Sequence, residues 1–133
     1  MIGLDTNVLV RYIMQDDTAQ SAKASALLDA LTVEAPGWIS IVSVIELAWV
    51  LGTAYGLDRA QLTEALEALL RTKELIVERA EVVWKAVRVF RDSRADFADC
   101  LIACAATSAG CEHIMTFDRG AAKHAGMSLI GAL

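Results

Sequence analysis

Short apolar runs that end in polar residues alternate along this chain with longer segments in which apolar side chains recur every three or four residues. The short runs predict strands, and the longer segments predict helices between them. Because strands that alternate with helices pair in parallel, we expect an α/β fold, a three-layer α/β/α sandwich with a parallel, roughly five-stranded central sheet. The predicted strands are a run ending at Asp5, then Trp38–Ser40, Glu74–Glu78, His113–Phe117 and Met127–Ile130.

Polar residues and glycines mark the ends of the predicted helices. Nothing in the sequence suggests a linker or a repeat, so residues 1–133 are predicted to form one domain. In the second helix, the apolar stripe is expected at Ala22, Ala26, Leu27, Ala30 and Leu31. The expected helices are Thr6 or Asn7 to about Met14, Asp16 to about Leu31, Ser40 or Ser43 to about Ala54, Asp58 to about Leu69, Ala80–Arg91, Asp96–Ala109 and Arg119–Ala125.

The composition is apolar, with 56% hydrophobic but only 6% aromatic residues. The core is therefore expected to be mainly aliphatic, with all three tryptophans inside it. An apolar surplus of this size usually ends at an oligomer or partner interface. The most apolar run, Ile39–Ala54, is interrupted by Glu46 and is too short for a bilayer. The first residues lack the basic region of a signal peptide, so a cytoplasmic location is expected.

The net charge of −5 argues against a general nucleic-acid-binding surface, because phosphates are bound mainly by Lys and Arg. This objection weakens if acidic residues are gathered around divalent cations, which invert the local electrostatic potential. The positions of the acidic residues therefore decide between the two interpretations.

Acidic residues follow predicted strands or begin predicted helices. Asp5 ends the first strand, Asp118 follows the fourth, and Asp96 and Asp99 share one face at the start of the sixth helix. Glu46 interrupts a helix that is apolar nearly all round, so we expect it to be a buried carboxylate with a cation or hydrogen-bond partners. The carboxyl ends of parallel strands share one edge of a sheet, where ligands bind.

Each of these acids also has an ordinary structural explanation. Asp5, Asp96 and Asp118 occupy positions suited to helix caps, and Glu46 would fit a structural salt bridge. Gathered together, the carboxylates would repel one another unless a cation neutralised them, and oxygen ligands suit Mg²⁺ or Mn²⁺. The residues together favour a divalent-metal site.

Other chemistry is poorly represented in the chain. Cys100, Cys104 and Cys111 are odd in number, so a disulfide framework is not expected. Their spacing matches no common zinc pattern, so we expect small buried core residues, with a zinc site as the alternative. The chain contains no glycine-rich phosphate loop.

Four motifs occur here in the order found in one nuclease family. A strand is followed by DTNVL, then come SxxE, ADFADxLIA and TFD, at Asp5–Leu9, Ser43–Glu46, Ala95–Ala103 and Thr116–Asp118. These motifs and the chain length resemble the PIN-domain ribonucleases, in particular the VapC-type toxins of bacterial and archaeal VapBC toxin–antitoxin modules. The resemblance covers essentially the whole chain.

The resemblance implies a Mg²⁺- or Mn²⁺-dependent endoribonuclease that cleaves RNA with a metal-activated water. By motif, the implied catalytic acids are Asp5, Glu46, Asp99 and Asp118, and the implied metal ligands are these four and Asp96. Polar residues implied to orient the carboxylates or the water are Thr6, Asn7, Ser43 and Thr116. Basic residues near the motifs that would bind RNA are Arg11, Arg94, Arg119 and Lys123, each with solvated surface charge as the alternative.

The same resemblance implies a homodimer that is inhibited by a small VapB-like antitoxin. An amphipathic antitoxin helix would enter an apolar groove, and Ile41–Ala54 and Leu62–Leu70 are the expected surfaces for both contacts. The competing interpretation is a non-catalytic PIN-like module that only binds its partner or RNA. A receiver-like or phosphatase-like domain also carries acids at strand ends, but the DTN motif and the missing late-strand lysine disfavour it.

Overall fold

The computed structural model describes residues 1–131. The chain divides into two compact units, Met1–Ala80 and the part from Glu81 onward. Within the described residues, five strands and seven helices follow one another in the predicted order. None of these helices combines the length and the apolar character that crossing a membrane requires.

The first unit contains a parallel three-stranded sheet in the order β1-β2-β3. Gly37 pairs with Ile2 on one side and with Leu75 on the other. A Cβ atom at Gly37 would lie 2.8 Å from Cδ1 of Leu4, so a larger residue there would force this leucine side chain to shift. The elements are β1 (Ile2–Gly3), α1 (Thr6–Met14), α2 (Thr18–Asp29), β2 (Gly37–Ile39), α3 (Ile41–Thr53), α4 (Arg59–Arg71) and β3 (Leu75–Val77).

Short polar side chains begin each helix of this unit. Asp17, Ser40 and Asp58 cap α2, α3 and α4, each accepting a hydrogen bond from a backbone N–H three residues later. The cap of α1 is Asp5. The prediction that Thr6 or Asn7 caps α1 was therefore wrong, and the alternative explanation of Asp5 as a helix cap is confirmed, because the strand ends before Asp5 and the helix begins directly after it.

The third helix is not buried all round. It buries Val44, Leu47 and Leu51, whereas Val42 and Trp49 have 61% and 68% of their surface exposed. Glu46 lies on the same exposed face. The predictions of a buried Glu46 and a buried Trp49 were therefore wrong. An apolar composition does not distinguish a buried helix from one that keeps an apolar face exposed to solvent.

The second helix presents a different face to the core from the one predicted. Its buried residues are Ser21 and Ala24, while Leu27 is 37% exposed. The members of the predicted stripe are exposed or half-buried. Small side chains at Ser21 and Ala24 allow close packing, so they outweigh the weak leucine pattern in this helix.

The second unit pairs two short parallel strands, with Met115 opposite Ser128 and Thr116 opposite Leu129. Its core includes an edge-to-face contact between Phe90 and Phe97, whose ring centroids are 5.7 Å apart. Its elements are α5 (Ala80–Arg91), α6 (Phe97–Ser108), β4 (Met115–Thr116), α7 (Arg119–His124) and β5 (Ser128–Leu129).

All strand pairs are parallel and the strands alternate with helices, which confirms the predicted α/β fold class. The five strands form a three-stranded and a two-stranded ladder. They are shorter than predicted: the run His113–Phe117 contributes only Met115 and Thr116 to β4. After β4 the chain bends at Phe117 and Asp118 caps α7, so the strand ends there.

Candidate functional site

Asp5 stands between β1 and α1 in the first unit. Its Oδ1 accepts a hydrogen bond from the backbone N–H of Thr6 at 2.8 Å, and the residue is exposed. The bond fixes the carboxylate at the start of the helix. An ionised carboxylate has two oxygens and several lone pairs, so capping and cation binding are compatible at Asp5.

Thr6 connects this helix start to α3. Its hydroxyl donates to Oε1 of Glu46 at 2.8 Å, across forty residues of chain, and Thr6 itself is only 6% exposed. A buried threonine thus holds an exposed glutamate in one orientation. The structure therefore brings the predicted residues Asp5, Thr6 and Glu46 together at the start of α1.

Two other predicted polar residues of this unit have different surroundings. Ser43 is buried, and its hydroxyl accepts from Oγ of Ser40 at 3.2 Å. These bonds between Ser40 and Ser43 lie within the first turn of α3, where they support the cap. Asn7 is exposed. The assignment of both residues to orienting the acids stays a prediction.

Three acids interact in the second unit. Burial raises the pKa of Asp99, and the negative charges of Asp96 and Asp118 raise it further. Asp96 is the N-cap residue of α6, yet its side chain makes no capping hydrogen bond. The carboxylate of Asp96 therefore does not bind the backbone N–H groups at the start of α6. The structure brings these three predicted acids close enough to repel one another.

The loop around Asp118 is held by backbone hydrogen bonds. Oδ1 of Asp118 accepts from the N–H groups of Gly120 at 2.7 Å and Ala121 at 3.2 Å, and so caps α7. The backbone N–H of Asp118 donates to the hydroxyl of Thr116 at 2.9 Å. A Cβ atom on Gly120 would lie 3.1 Å from Oδ1, so glycine permits this close approach. Thr116 thus holds the backbone of Asp118, and its predicted role in orienting the carboxylate stays a prediction.

The predicted basic residues differ in whether their side chains already form hydrogen bonds within the protein. Arg11 donates from Nε to Gln20 at 2.8 Å and from Nη1 to Asp16 and to the hydroxyl of Tyr55. This network serves the junction of α1, α2 and the end of α3. The other three predicted RNA-binding side chains, Arg94, Arg119 and Lys123, are exposed.

The donor set suits a hard divalent cation. Within residues 1–131, no group of three or more His, Cys, Asp or Glu side chains is close enough by itself to hold a metal ion. The repulsion that acts on Asp99 is nevertheless what a bound cation would relieve, and carboxylate and hydroxyl oxygens are ligands that Mg²⁺ and Mn²⁺ accept. The residues therefore fit such an ion chemically.

The cysteines do not compete for this role. Cys100 is buried, Cys104 half-buried and Cys111 exposed, and all three are free thiols. The prediction of buried core residues is correct for Cys100 and wrong for Cys111. Burial raises the pKa of Cys104, although Lys85 acts in the opposite direction, which disfavours the thiolate that zinc requires.

Sequence reasoning missed Glu78, which follows β3. Its Oε1 accepts a hydrogen bond from the backbone N–H of Ile41 at 2.8 Å and so serves the start of α3 from another element. The signal was present, because Glu78 ends an apolar strand run just as Asp5 does. Only the tertiary structure distinguishes its supporting role from that of the acids in the motifs.

Comparison with known proteins agrees with these features. The family model described as PIN domain matches residues 2–127 of the chain. Among curated proteins, none matches the chain significantly. PIN domains have a parallel α/β/α fold and are in general nucleases that depend on divalent metal ions. Since the match covers nearly all of the chain, this protein belongs to the PIN-domain family.

Proposed function

We propose that this protein is a Mg²⁺- or Mn²⁺-dependent endoribonuclease that acts in the cytoplasm as the toxin of a type II toxin–antitoxin system. The observation that carries this proposal is the group of carboxylates at Asp96, Asp99 and Asp118, in which burial and then the charges of Asp96 and Asp118 raise the pKa of Asp99. Membership of a family of metal-dependent nucleases supports hydrolysis of a phosphodiester. The VapC-like order of the four motifs supports RNA and the toxin role.

The proposed ligands are Asp5, Glu46, Asp99 and Asp118, with Asp96 as an additional acid. When bound, the divalent cation supplies charge stabilisation and lowers the pKa of a coordinated water. The chain's own contribution is positioning. Thr6 orients Glu46 through its hydroxyl, and Thr116 and the start of α7 hold Asp118. No histidine base is needed for this chemistry.

Contact with the RNA backbone is assigned to the exposed cations Arg94, Arg119 and Lys123. Arg119 and Lys123 lie on α7, which Asp118 caps, so they follow one of the proposed ligands directly along the chain. Arg11 is not assigned to the RNA backbone, because Nε and Nη1 of its guanidinium already donate hydrogen bonds to Gln20 and Tyr55. Binding through these few cations predicts a pronounced dependence on salt concentration.

The proposed antitoxin would occupy a groove in the first unit. This cavity of about 630 Å³ is lined by apolar residues of α1, α2 and α4, among them Ile13, Leu28 and Leu69. Carboxylates of Asp29, Glu64 and Glu74 also line it. An apolar floor with acidic residues around it matches an amphipathic helix that carries basic residues.

The proposed homodimer would use the exposed face of α3. Val42 and Trp49 lie on this face with more than half of their surface exposed. Exposed aliphatic and aromatic side chains two helical turns apart on one helix face form the kind of surface that a symmetric contact buries. This surface lies within the predicted range Ile41–Ala54.

The decisive experiment is a cleavage assay on total cellular RNA with the purified, antitoxin-free protein. We expect discrete cuts with Mg²⁺ or Mn²⁺, no cuts with EDTA, and no cuts by a folded Asp5→Asn variant. Asp92→Asn is the matched control, because it removes an exposed carboxylate that pairs with Arg91 outside the motifs. Wild-type cleavage by folded Asp5→Asn would contradict the metal-site assignment.

A non-catalytic binding module is the second candidate. The observation in its favour is that, in the described part of the chain, no three potential ligands already stand close enough to hold a metal ion. If the folded wild type with Mg²⁺ or Mn²⁺ cleaves no RNA pool, the binding module becomes the better assignment. Calorimetric titration with Mn²⁺ separates the two further, since the nuclease must bind the metal.

A further inference from the structure

A small groove lies between α1 and α2 of the first unit, next to the DTN motif. Its volume is about 240 Å³. Sites for drug-sized ligands span roughly 300–1,000 Å³, so this groove suits a smaller group. Its apolar lining comes from Val8 on α1 and from Ala24 and Leu27 on α2. Asn7, which also lines it, is two residues from Asp5.

The polar lining of this α1–α2 groove contains two amides and two cations. Asn7 and Arg11 come from α1, and Gln20 and Lys23 come from α2. Amide side chains both donate and accept hydrogen bonds, as the edges of nucleobases do. Lys23 is exposed and forms no ion pair within the described residues, so its ammonium is available to an anion.

Arg11 is held in a fixed orientation beside the groove. Its Nε donates to Oε1 of Gln20 at 2.8 Å, and its Nη1 donates to Asp16 at 3.2 Å and to the hydroxyl of Tyr55 at 3.1 Å. Tyr55 in turn donates to Asp16 at 2.6 Å. With these donors engaged, the planar guanidinium has little rotational freedom. Guanidinium planes are surfaces on which unpaired bases stack.

We propose that the α1–α2 groove binds one unpaired nucleobase of the RNA strand, with a neighbouring phosphate on Lys23. The proposal rests on the proposed function, in which RNA is the substrate. Size, apolar floor and amides fit a flat heterocycle with hydrogen-bonding edges. The unpaired ammonium of Lys23 fits its phosphate in a chain whose net charge is −5. Base selection next to Asp5 would contribute to the choice of cleavage site.

The larger cavity of this unit differs in chemistry. Its charged lining is acidic, from Asp29, Glu64 and Glu74. The charged lining of the α1–α2 groove is basic, from Arg11 and Lys23, and because Arg11 is paired with Asp16, Lys23 supplies its unpaired charge. A polyanion is therefore favoured in the small groove and disfavoured in the large one. Because of this difference in charge, we assign RNA as the occupant of the α1–α2 groove.

The test measures binding of fluorescein-labelled single-stranded oligo(U), oligo(A) and oligo(C) of about ten nucleotides, a length within the range of single-strand sites. The full chain carrying Asp5→Asn is used with Mg²⁺, so that the probe stays intact. Ala24→Phe fills the groove, and we expect it to weaken binding by about 5- to 150-fold, the loss of one stacked base. Replacing single nucleotides by abasic spacers locates that base.

One position of the oligonucleotide should behave differently in the two proteins. An abasic spacer at that position must weaken binding to the protein whose groove is open, and it must not weaken binding to Ala24→Phe any further. Lys23→Ala must lower the slope of log K against log salt by about one, and the matched control Lys73→Ala must not. Leu27→Asp places a carboxylate at the exposed edge of the groove and replaces Ala24→Phe if circular dichroism shows that Ala24→Phe is unfolded.

The proposal is overturned if folded Ala24→Phe and Leu27→Asp bind every oligonucleotide within twofold of the unfilled protein. It is also overturned if abasic spacers weaken binding equally with and without the filled groove, or if the filled groove abolishes only inhibition by a protein partner. Base-selective binding by a wild type that cleaves nothing would contradict the nuclease and leave this subsite standing. The two proposals therefore fail separately.

Discussion

The hydroxyl of Thr6 donates a hydrogen bond of 2.8 Å to Oε1 of Glu46, joining the first residue of α1 to the middle of α3. The donor is buried and the acceptor belongs to an exposed residue. This bond explains how a glutamate on an exposed helix face is held in one orientation. It also makes Thr6 a positioning residue for one of the proposed metal ligands.

Thr6→Val should lower cleavage by about 10- to 100-fold, because outer groups that orient ligands have effects of this size. The loss of one hydrogen bond should lower the free energy of unfolding by only about 0.5–1.5 kcal/mol. Thr6→Ser keeps the hydroxyl and is the matched control. Parallel cleavage assays and urea unfolding measure both quantities. Equal cleavage by Thr6→Val and Thr6→Ser would show that this bond does not position Glu46 for the reaction.

Two substitutions of Asp118 should separate its role in helix capping from its proposed role in catalysis. Asp118→Ala removes the acceptor of the Gly120 and Ala121 N–H groups and should cost about 0.5–2 kcal/mol of stability. Asp118→Asn keeps an oxygen acceptor, so it should fold like the wild type and still lose cleavage. Thermal unfolding and the RNA assay test this pair. An active Asp118→Asn enzyme would restrict Asp118 to capping.

Asp99→Asn should stabilise the protein in EDTA at neutral pH. The pKa of Asp99 is raised above its ordinary 3.8 by burial and by the charges of Asp96 and Asp118, so the folded state retains the proton to higher pH than the unfolded chain does. The wild type therefore loses stability as the pH rises from about 3.8 through the raised pKa. Asp99→Asn escapes this loss, and its advantage should grow across the same interval.

Thermal unfolding across that pH range, with and without Mg²⁺, measures the effect. Added Mg²⁺ should raise the melting temperature of the wild type more than that of Asp99→Asn, because the ion binds the folded state through the carboxylate. A wild type and variant with the same pH dependence would show that the three acids of the second unit do not repel one another significantly.

If the proposed homodimer forms through α3, Trp49→Lys should shift the protein from dimer to monomer. Trp49 is 68% exposed on α3, and a charge at the centre of an apolar contact opposes burial. Light scattering after size exclusion gives the mass directly. Val89→Lys is the matched control, because Val89 is 40% exposed on α5. If Trp49→Lys remains a dimer, the contact lies elsewhere than on this face.

Glu78→Ala should destabilise the protein by about 1 kcal/mol without a specific loss of metal binding. Glu78 accepts a hydrogen bond from the backbone N–H of Ile41 at the start of α3, as the side chain of a helix cap does. Glu78→Gln retains an oxygen acceptor and should be milder. Urea unfolding and calorimetric titration with Mn²⁺ check the two halves of this expectation. A large loss of Mn²⁺ affinity would move Glu78 into the set of ligands.

The amino-acid sequence alone determined the order and type of the elements and the identity of the acids. Apolar periodicity and capping residues act over a few neighbours, so they are readable from the chain itself. The α5 segment Ala80–Arg91 was predicted with its observed boundaries. The motifs likewise singled out Asp5, Glu46, Asp96, Asp99 and Asp118 as candidate ligands without any knowledge of their surroundings, and that assignment stays a prediction.

Tertiary structure alone decided which faces are buried and which partner each polar group takes. Glu46 and Trp49 proved exposed although their helix is apolar, because burial depends on what packs against a helix. The bond from Thr6 to Glu46 spans forty residues, and the two charges that raise the pKa of Asp99 include one from another element. Such effects depend on distances through space, which local sequence patterns do not encode.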